Sequence, residues 1–153
     1  IRDTMLQAAG RLDPTPGGPA FVELTRPRRS LYVQTCRWDR SNFATQFDAA
    51  NPDASVERRA VSTVAPQALT LLNHEFARAQ ATALAERLLR ESAGDDAARI
   101  ERAYQLLFAR RARPEEVALC RGLLIPRGPQ KSEARWQDLA HVLLCSNEFA
   151  YLE

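Results

Sequence analysis

Side chains that bind metals or act as nucleophiles are scarce in this sequence, which has two histidines, His74 and His141, and three cysteines. Cys36, Cys120 and Cys145 lie far apart, and no two share a C-x-x-C spacing, so neither a zinc knuckle nor a dithiol redox motif is encoded. The odd count argues against a disulfide framework, and buried, inert thiols are the expected state. No apolar run approaches the ~20 residues a membrane helix needs, so no membrane span is expected. A strong field is also missing: 21 basic against 19 acidic residues leave a net charge of +2, which does not favour a polyanion and makes nucleic acid a poor partner. Lysine is nearly absent. Lys131 stands alone among arginines, whose planar guanidinium favours paired bonds to carboxylates and carbonyls. The opening Ile1-Arg2-Asp3 carries no Met start and no secretion signal, so the chain is expected to be a piece of a longer protein.

What is present is the material of one ordinary domain: 153 residues, 45% hydrophobic and 26% charged. Ile1 to Ala9 read as the tail of a helix that is expected to begin before Ile1, closed by Gly10, the residue best suited to a left-handed C-cap. From Arg11 to Ser30 the residues Pro14, Pro16, Gly17, Gly18, Pro19 and Pro27 forbid regular structure and give a long irregular crossing. Ser30 to Cys36 is expected to be a short extended segment, and Asn42 to Phe47 one helical turn. From Ser62 onward the pattern is helix after helix. Ser62 or Thr63 caps the first, with Pro66 in its first turn and Leu69, Leu72 and Phe76 on its buried line; Asn73-His74 breaks it. The next runs from about Glu75 to Arg90 with Phe76, Ala79, Ala83, Leu84 and Leu88 inward. Asp95 or Asp96 caps a third, in which Ile100, Ala103, Tyr104, Leu107 and Phe108 follow the helical template without a miss. Pro114-Glu115-Glu116 opens a fourth with Val117, Cys120 and Leu124 inward, and Pro126 stops it. Ser132 caps the last, with Trp136, Leu139, Ala140, Leu143, Asn147 and Ala150 on one face. The expected fold is all-α, a bundle of about five helices over 62–153 preceded by an irregular, arginine-rich segment over 1–61, with at most one short strand pair.

Several stretches, taken in order, resemble a known family. They are Arg28-Arg29-Ser30-Leu31-Tyr32, Phe47-Asp48, Arg58-Arg59 followed by Ser62-Thr63, and Pro66-Gln67-Ala68-Leu69 with Leu71-Leu72-Asn73 and Phe76. Ala83-Leu84-Ala85-Glu86-Arg87, Arg102-Ala103-Tyr104, the Pro114-Glu115-Glu116 turn, Trp136-Gln137-Asp138-Leu139, and Ser146-Asn147-Glu148-Phe149 with Tyr151 complete the set. Together they resemble the Planctomycete-specific domain one over nearly the whole chain. That is a domain of unknown function at the C-terminal end of large proteins that often carry a cytochrome-c-like region. The resemblance implies an exported parent, periplasmic or in the cell envelope, with haem chemistry elsewhere, and it supplies no activity. The haem attachment pattern C-x-x-C-H is absent, so no cofactor is carried over. Members show a better cap than Arg113 before the Pro-Glu-Glu turn, so that helix start is expected to fray or to borrow another acceptor.

The most chemical pattern is Asp138, His141, Cys145 and Glu148 on one stripe of the last helix. Those residues could chelate a metal, or His141 could activate Cys145, but a solvated or partner-facing stripe is the preferred reading, and no catalytic or metal-binding set is assigned. His74 is expected to bond a free carbonyl at a helix end, and Gln67 and Asn73 to satisfy backbone groups. Arg26, Arg28, Arg29, Arg37, Trp38, Arg40, Arg58 and Arg59 cluster in the irregular first half. They are the candidate contact to a partner or an anion, set against the plainer role of pinning loops to the helical body. The expected function is therefore a non-catalytic structural or interaction module, whose partner is the upstream part of the same polypeptide or another protein. An enzyme domain completed by upstream residues and a carbohydrate- or anion-binding module remain the alternatives.

Overall fold

The computed structural model describes residues 1–35, 47–49, 53, 57, 64–92, 94–126, 128–129 and 131–151. Among these residues the regular elements are helical: α1 (Arg2–Ala8), α2 (Ala65–Asn73), α3 (Glu75–Glu91), α4 (Asp96–Phe108), α5 (Pro114–Leu124), α6 (Ser132–Leu144) and the four-residue α7 (Asn147–Ala150), with a 3-10 turn at Ser30–Tyr32. The only extended pairings among them are two isolated parallel bridges, Asp13 with Arg28 and Phe21 with Val33. The fold class is all-α, as the periodicity indicates.

The helices begin and end for local reasons. Asp95 accepts the Ala98 N–H at 3.0 Å and opens α4, and Ala109 closes it in the left-handed region at φ 54°. Gly10 follows α1 at φ +70°, where a side chain would be strained. α5 has no side-chain cap from Arg113, but Glu116 Oε2, three residues on, reaches back to accept the Arg113 N–H at 2.7 Å, which satisfies one of the donors at that helix start. His74 caps α3, but as an acceptor from the Phe76 N–H at 3.1 Å, so it serves the start of a helix and not a free carbonyl. Gln67 does satisfy the backbone, its Oε1 accepting from the Val64 N–H, and Asn73 bonds the Leu69 carbonyl.

α3 is the central rod. It packs most extensively on α6, and α6 also meets α4 and α5, while α1 and α2 pack on α3 as well. The shared core includes Met5, Leu6, Leu71, Phe76, Leu84, Leu88, Ile100, Leu107, Trp136, Leu139 and Leu144. Burying a large side chain of this kind contributes about 1.5–3 kcal/mol, which makes the α3–α6 seam a major source of stability.

Several inward faces differ from the periodicity reading. On α2, Leu69 and Leu72 are 56% and 54% exposed, while Gln67 and Leu71, one turn apart, face the core. The apolar residues misled because a polar one is buried: Gln67 also accepts from the Tyr151 hydroxyl at 3.1 Å, so its amide is satisfied inside. On α3 the stripe is rotated to Ala77, Gln80, Ala81, Leu84, Ala85 and Leu88, and Ala79 lies outside. The last helix is two: α6 stops at Leu144, Ser146 caps α7 by accepting the Phe149 N–H, and Phe149, not Asn147, turns inward. Lys131 stands at the N-cap position of α6 and Ser132 is its first helical residue. Ser30–Tyr32 is a 3-10 turn and not extended, because Asp3 accepts the Ser30 N–H at 2.8 Å and the Ser30 hydroxyl at 2.6 Å and folds that corner onto α1. The expected turn at Asn42 to Phe47 and the caps Ser62 and Thr63 fall outside the described residues, apart from Phe47, which stands in a turn.

Candidate functional site

The long irregular crossing is organised from below by one side chain. Arg2, in the first turn of α1, is 5% exposed. Its guanidinium donates to the Leu24 carbonyl at 2.8 and 3.1 Å, to the Arg28 carbonyl at 2.8 Å, to the Arg26 carbonyl, to Ser30 Oγ at 3.3 Å and to Asp3 at 3.2 Å. The alternate carbonyls of residues 24, 26 and 28 thus converge on a planar cation whose fork geometry can serve several acceptors at once. Phe21 and Phe76 flank the cation, each with its ring centroid 5.5 Å away. Burial works to lower the pKa of Arg2 and Asp3 works against it, and a guanidinium stays charged throughout.

Further bonds close the loop on itself. Arg28 donates to the carbonyls of Gly17 and Pro19 and lies over the Tyr32 ring at 4.4 Å, while the Tyr32 hydroxyl accepts the Gly17 N–H at 2.8 Å. The Asp13 N–H meets the Pro27 carbonyl at 2.9 Å and the Gln34 N–H meets the Phe21 carbonyl at 2.7 Å. Arg87 of α3 reaches across to the Gln7 and Ala8 carbonyls at the end of α1 and so ties the platform to the central rod. Among the residues left outward are Val22 at 63% exposure, Leu31 at 73%, Glu23, and the side chains of Arg11, Arg26 and Arg29.

The arginine cluster is therefore divided. Arg28 is turned inward as a fastener, Arg26 is exposed and pairs with Glu23 at 3.2 Å, and Arg29 is exposed with no partner for its side chain among the described residues. Arg37, Trp38, Arg40, Arg58 and Arg59 lie outside the described residues. The stripe on the last helix is dispersed: His141 Nε2 meets the Leu71 carbonyl at 3.0 Å, burial pushes the Cys145 thiol up, and Glu148 is taken by Arg110. Among the described residues no three His, Cys, Asp or Glu side chains are grouped as metal ligands, and no helix is long and apolar enough to cross a membrane. A shallow groove between α3 and α6, lined by Glu86, Leu89, Arg90, Glu133 and Gln137, carries charges but no nucleophile paired with a base.

The second arginine node is at the α4–α5 corner. Arg110 grips Glu116 at 2.7 and 2.8 Å and Glu148 at 2.6 and 2.7 Å while lying 5.2 Å over the Tyr104 ring, so one cation joins α4, α5 and α7. Its bonds pull the Glu116 carboxyl down to about 2 and lower that of Glu148. Beneath it burial raises both the Tyr104 hydroxyl and the Cys120 thiol. These are the features of a structural clamp.

The sequence model of a family described as PSD1, a protein of unknown function (DUF1553), matches residues 1–124. The chain belongs to this family. The match agrees with the planctomycete-type resemblance and takes in the whole Arg2-pinned loop, but it stops at Leu124, so the quoted likeness at Trp136–Leu139 and Ser146–Tyr151 lies beyond it. No curated protein and no solved structure matches the chain. In this PSD1 domain the periodicity reading missed Arg2, although a signal was present: Arg2 shares the i, i+3, i+4 stripe of α1 with the buried Met5 and Leu6, a place where a charge needs partners.

Proposed function

We infer that this domain is a non-catalytic docking module within a larger exported protein, and that its recognition face is the Arg2-pinned loop. The observation that carries the reading is the contrast between a loop fixed from beneath by a buried arginine and an outer surface of the same loop on which Val22, Leu31, Arg11 and Arg29 are exposed. A loop ordered before binding loses little conformational entropy on association, and arginine is among the residue types that dominate binding contacts. The partner is a neighbouring domain of the same polypeptide, and the setting is the periplasm or cell envelope, as the family resemblance implies. The test supplies that neighbouring region in trans and measures its association with the wild-type domain and with the Val22→Asp/Leu31→Asp variant. The reading expects association that the double variant weakens at least about tenfold while its melting temperature is retained. Association untouched by the two substitutions overturns it.

A further inference from the structure

One stretch of the docking loop has a one-sided hydrogen-bonding surface. Residues 14–20 are all exposed, yet they are held at both ends and from within. At one end the Asp13 N–H bonds the Pro27 carbonyl at 2.9 Å, and at the other the Phe21 N–H bonds the Tyr32 carbonyl at 3.1 Å. Between them the Tyr32 hydroxyl accepts the Gly17 N–H at 2.8 Å, and Arg28, lying over the Tyr32 ring, donates to the Gly17 and Pro19 carbonyls. Gly17 and Gly18 turn the chain at φ +74° and +86°, and a side chain added at Gly17 would meet nothing within 4 Å. The crest is therefore fixed from the inside and open on its outer side.

Its backbone offers acceptors and hardly any donors. Pro14, Pro16 and Pro19 have no N–H, Thr15 gives its N–H to Asp13 Oδ1 at 2.9 Å, and Gly17 gives its own to Tyr32. Gly18 and Ala20 keep the open N–H groups of the crest, whereas the carbonyls of residues 14, 15, 16, 18 and 20 accept no bond among the described residues. The Thr15 hydroxyl is the single polar side-chain group, and no side chain there is charged. A carboxylate-rich partner would set acceptor against acceptor. A partner that brings N–H or O–H donors beside flat apolar faces would meet both the carbonyls and the pyrrolidine rings, and tyrosine and tryptophan combine the two.

Resting on the docking reading above, we propose that the crest at residues 14–20 enters a groove lined by tyrosine or tryptophan on the neighbouring region of the polypeptide. Proline-rich segments suit such grooves because the ring fixes φ in advance, so little entropy is lost on binding. The Arg28 and Tyr32 contacts add a second restraint at the two glycines, where proline supplies none.

The experiment measures association of the domain with the neighbouring region supplied in trans, for the wild type and for Pro14→Ala/Pro16→Ala. Both rings are exposed, so the variant should melt close to the wild type. It is expected to bind at least about tenfold more weakly. A second readout reports on the groove itself. With the prolines of the wild-type domain labelled with carbon-13, the ring protons of Pro14 and Pro16 are expected to move upfield when the neighbouring region is added, because they come to lie over aromatic faces. Should the variant melt lower than the wild type, this shift on the unaltered chain decides alone. If the proline variant binds as the wild type does while Val22→Asp/Leu31→Asp fails, the crest proposal is refuted and the docking face stands. Binding of the wild type without upfield movement refutes the aromatic groove. If neither pair of substitutions matters, or the wild type does not associate, the docking reading itself falls.

Discussion

Replacing Arg2 by alanine removes the cation on which the carbonyls of residues 24, 26 and 28 converge. A hydrogen bond to a charged group contributes about 1.5–3 kcal/mol, and an acceptor left without a donor in the interior costs about 1–3 kcal/mol. These figures do not add, since the loop lies at the surface and water can rehydrate part of it. Release of a buried cation also returns some desolvation energy. The expected net loss is about 2–4 kcal/mol. Arg2→Lys should fall between, because an ammonium keeps the charge but cannot present a planar fork to several carbonyls. Urea denaturation gives the global loss, and amide exchange at Asp13 and Gln34, whose N–H groups close the loop on Pro27 and Phe21, gives the local one. If the loop detaches before the helices unfold, exchange will show the larger change. A global loss below about 0.5 kcal/mol with unchanged exchange at both amides would refute the pinning role.

Three further outcomes are expected. Leu107→Ala, at a buried position on the inward stripe of α4, should cost about 2–5 kcal/mol in chemical denaturation, and a loss typical of a surface site would mean the core is misplaced. The Arg110 clamp should give an acid-sensitive contribution. Glu116, held at about 2 in the folded chain, and Glu148, also lowered, ionise more readily folded than unfolded, so their stabilisation is full above the ordinary carboxylate range and disappears as pH falls toward about 2. With both carboxylates partly exposed, Arg110→Met should cost about 1–2 kcal/mol at neutral pH, and the gap from wild type should close between about pH 5 and pH 2; a gap independent of pH contradicts this. A chain cut after Leu124, where the family match ends, lacks Trp136, Leu139, Leu143, Leu144 and Phe149. It bares the α3 face that α6 covers, a loss comparable to a whole domain's stability at about 1.5–3 kcal/mol per side chain, and should show no cooperative melt.

The helices were legible where one face is uniformly apolar and both ends carry local signals. α4, from the Asp95 cap through Ile100, Tyr104 and Leu107, is the clearest case. Reading failed where burial did not follow polarity: Gln67 is inside because the Val64 N–H and Tyr151 hydroxyl satisfy it, which leaves Leu69 and Leu72 outside. It failed again where a long-range bond overrides local propensity, as Asp3 does in curling Ser30–Tyr32. The candidate surface was legible only in part. Arginine abundance marked the loop, but composition cannot say that Arg28 faces inward, that Arg29 faces outward, or that Arg2, from 22 to 28 residues away, sets the loop's shape.

The docking account can be tested with two leucines of equal exposure. Leu31 on the pinned loop is 73% exposed and Leu119 on the outer face of α5 is 72% exposed, so hydroxyl radicals should oxidise them at similar rates in the isolated domain. Footprinting of the domain alone and within the longer polypeptide is the direct measurement. The account predicts that Leu31 becomes several-fold protected in the longer chain while Leu119 reacts as before. Protection of Leu119 with Leu31 unchanged would place the interface on α5 and contradict it.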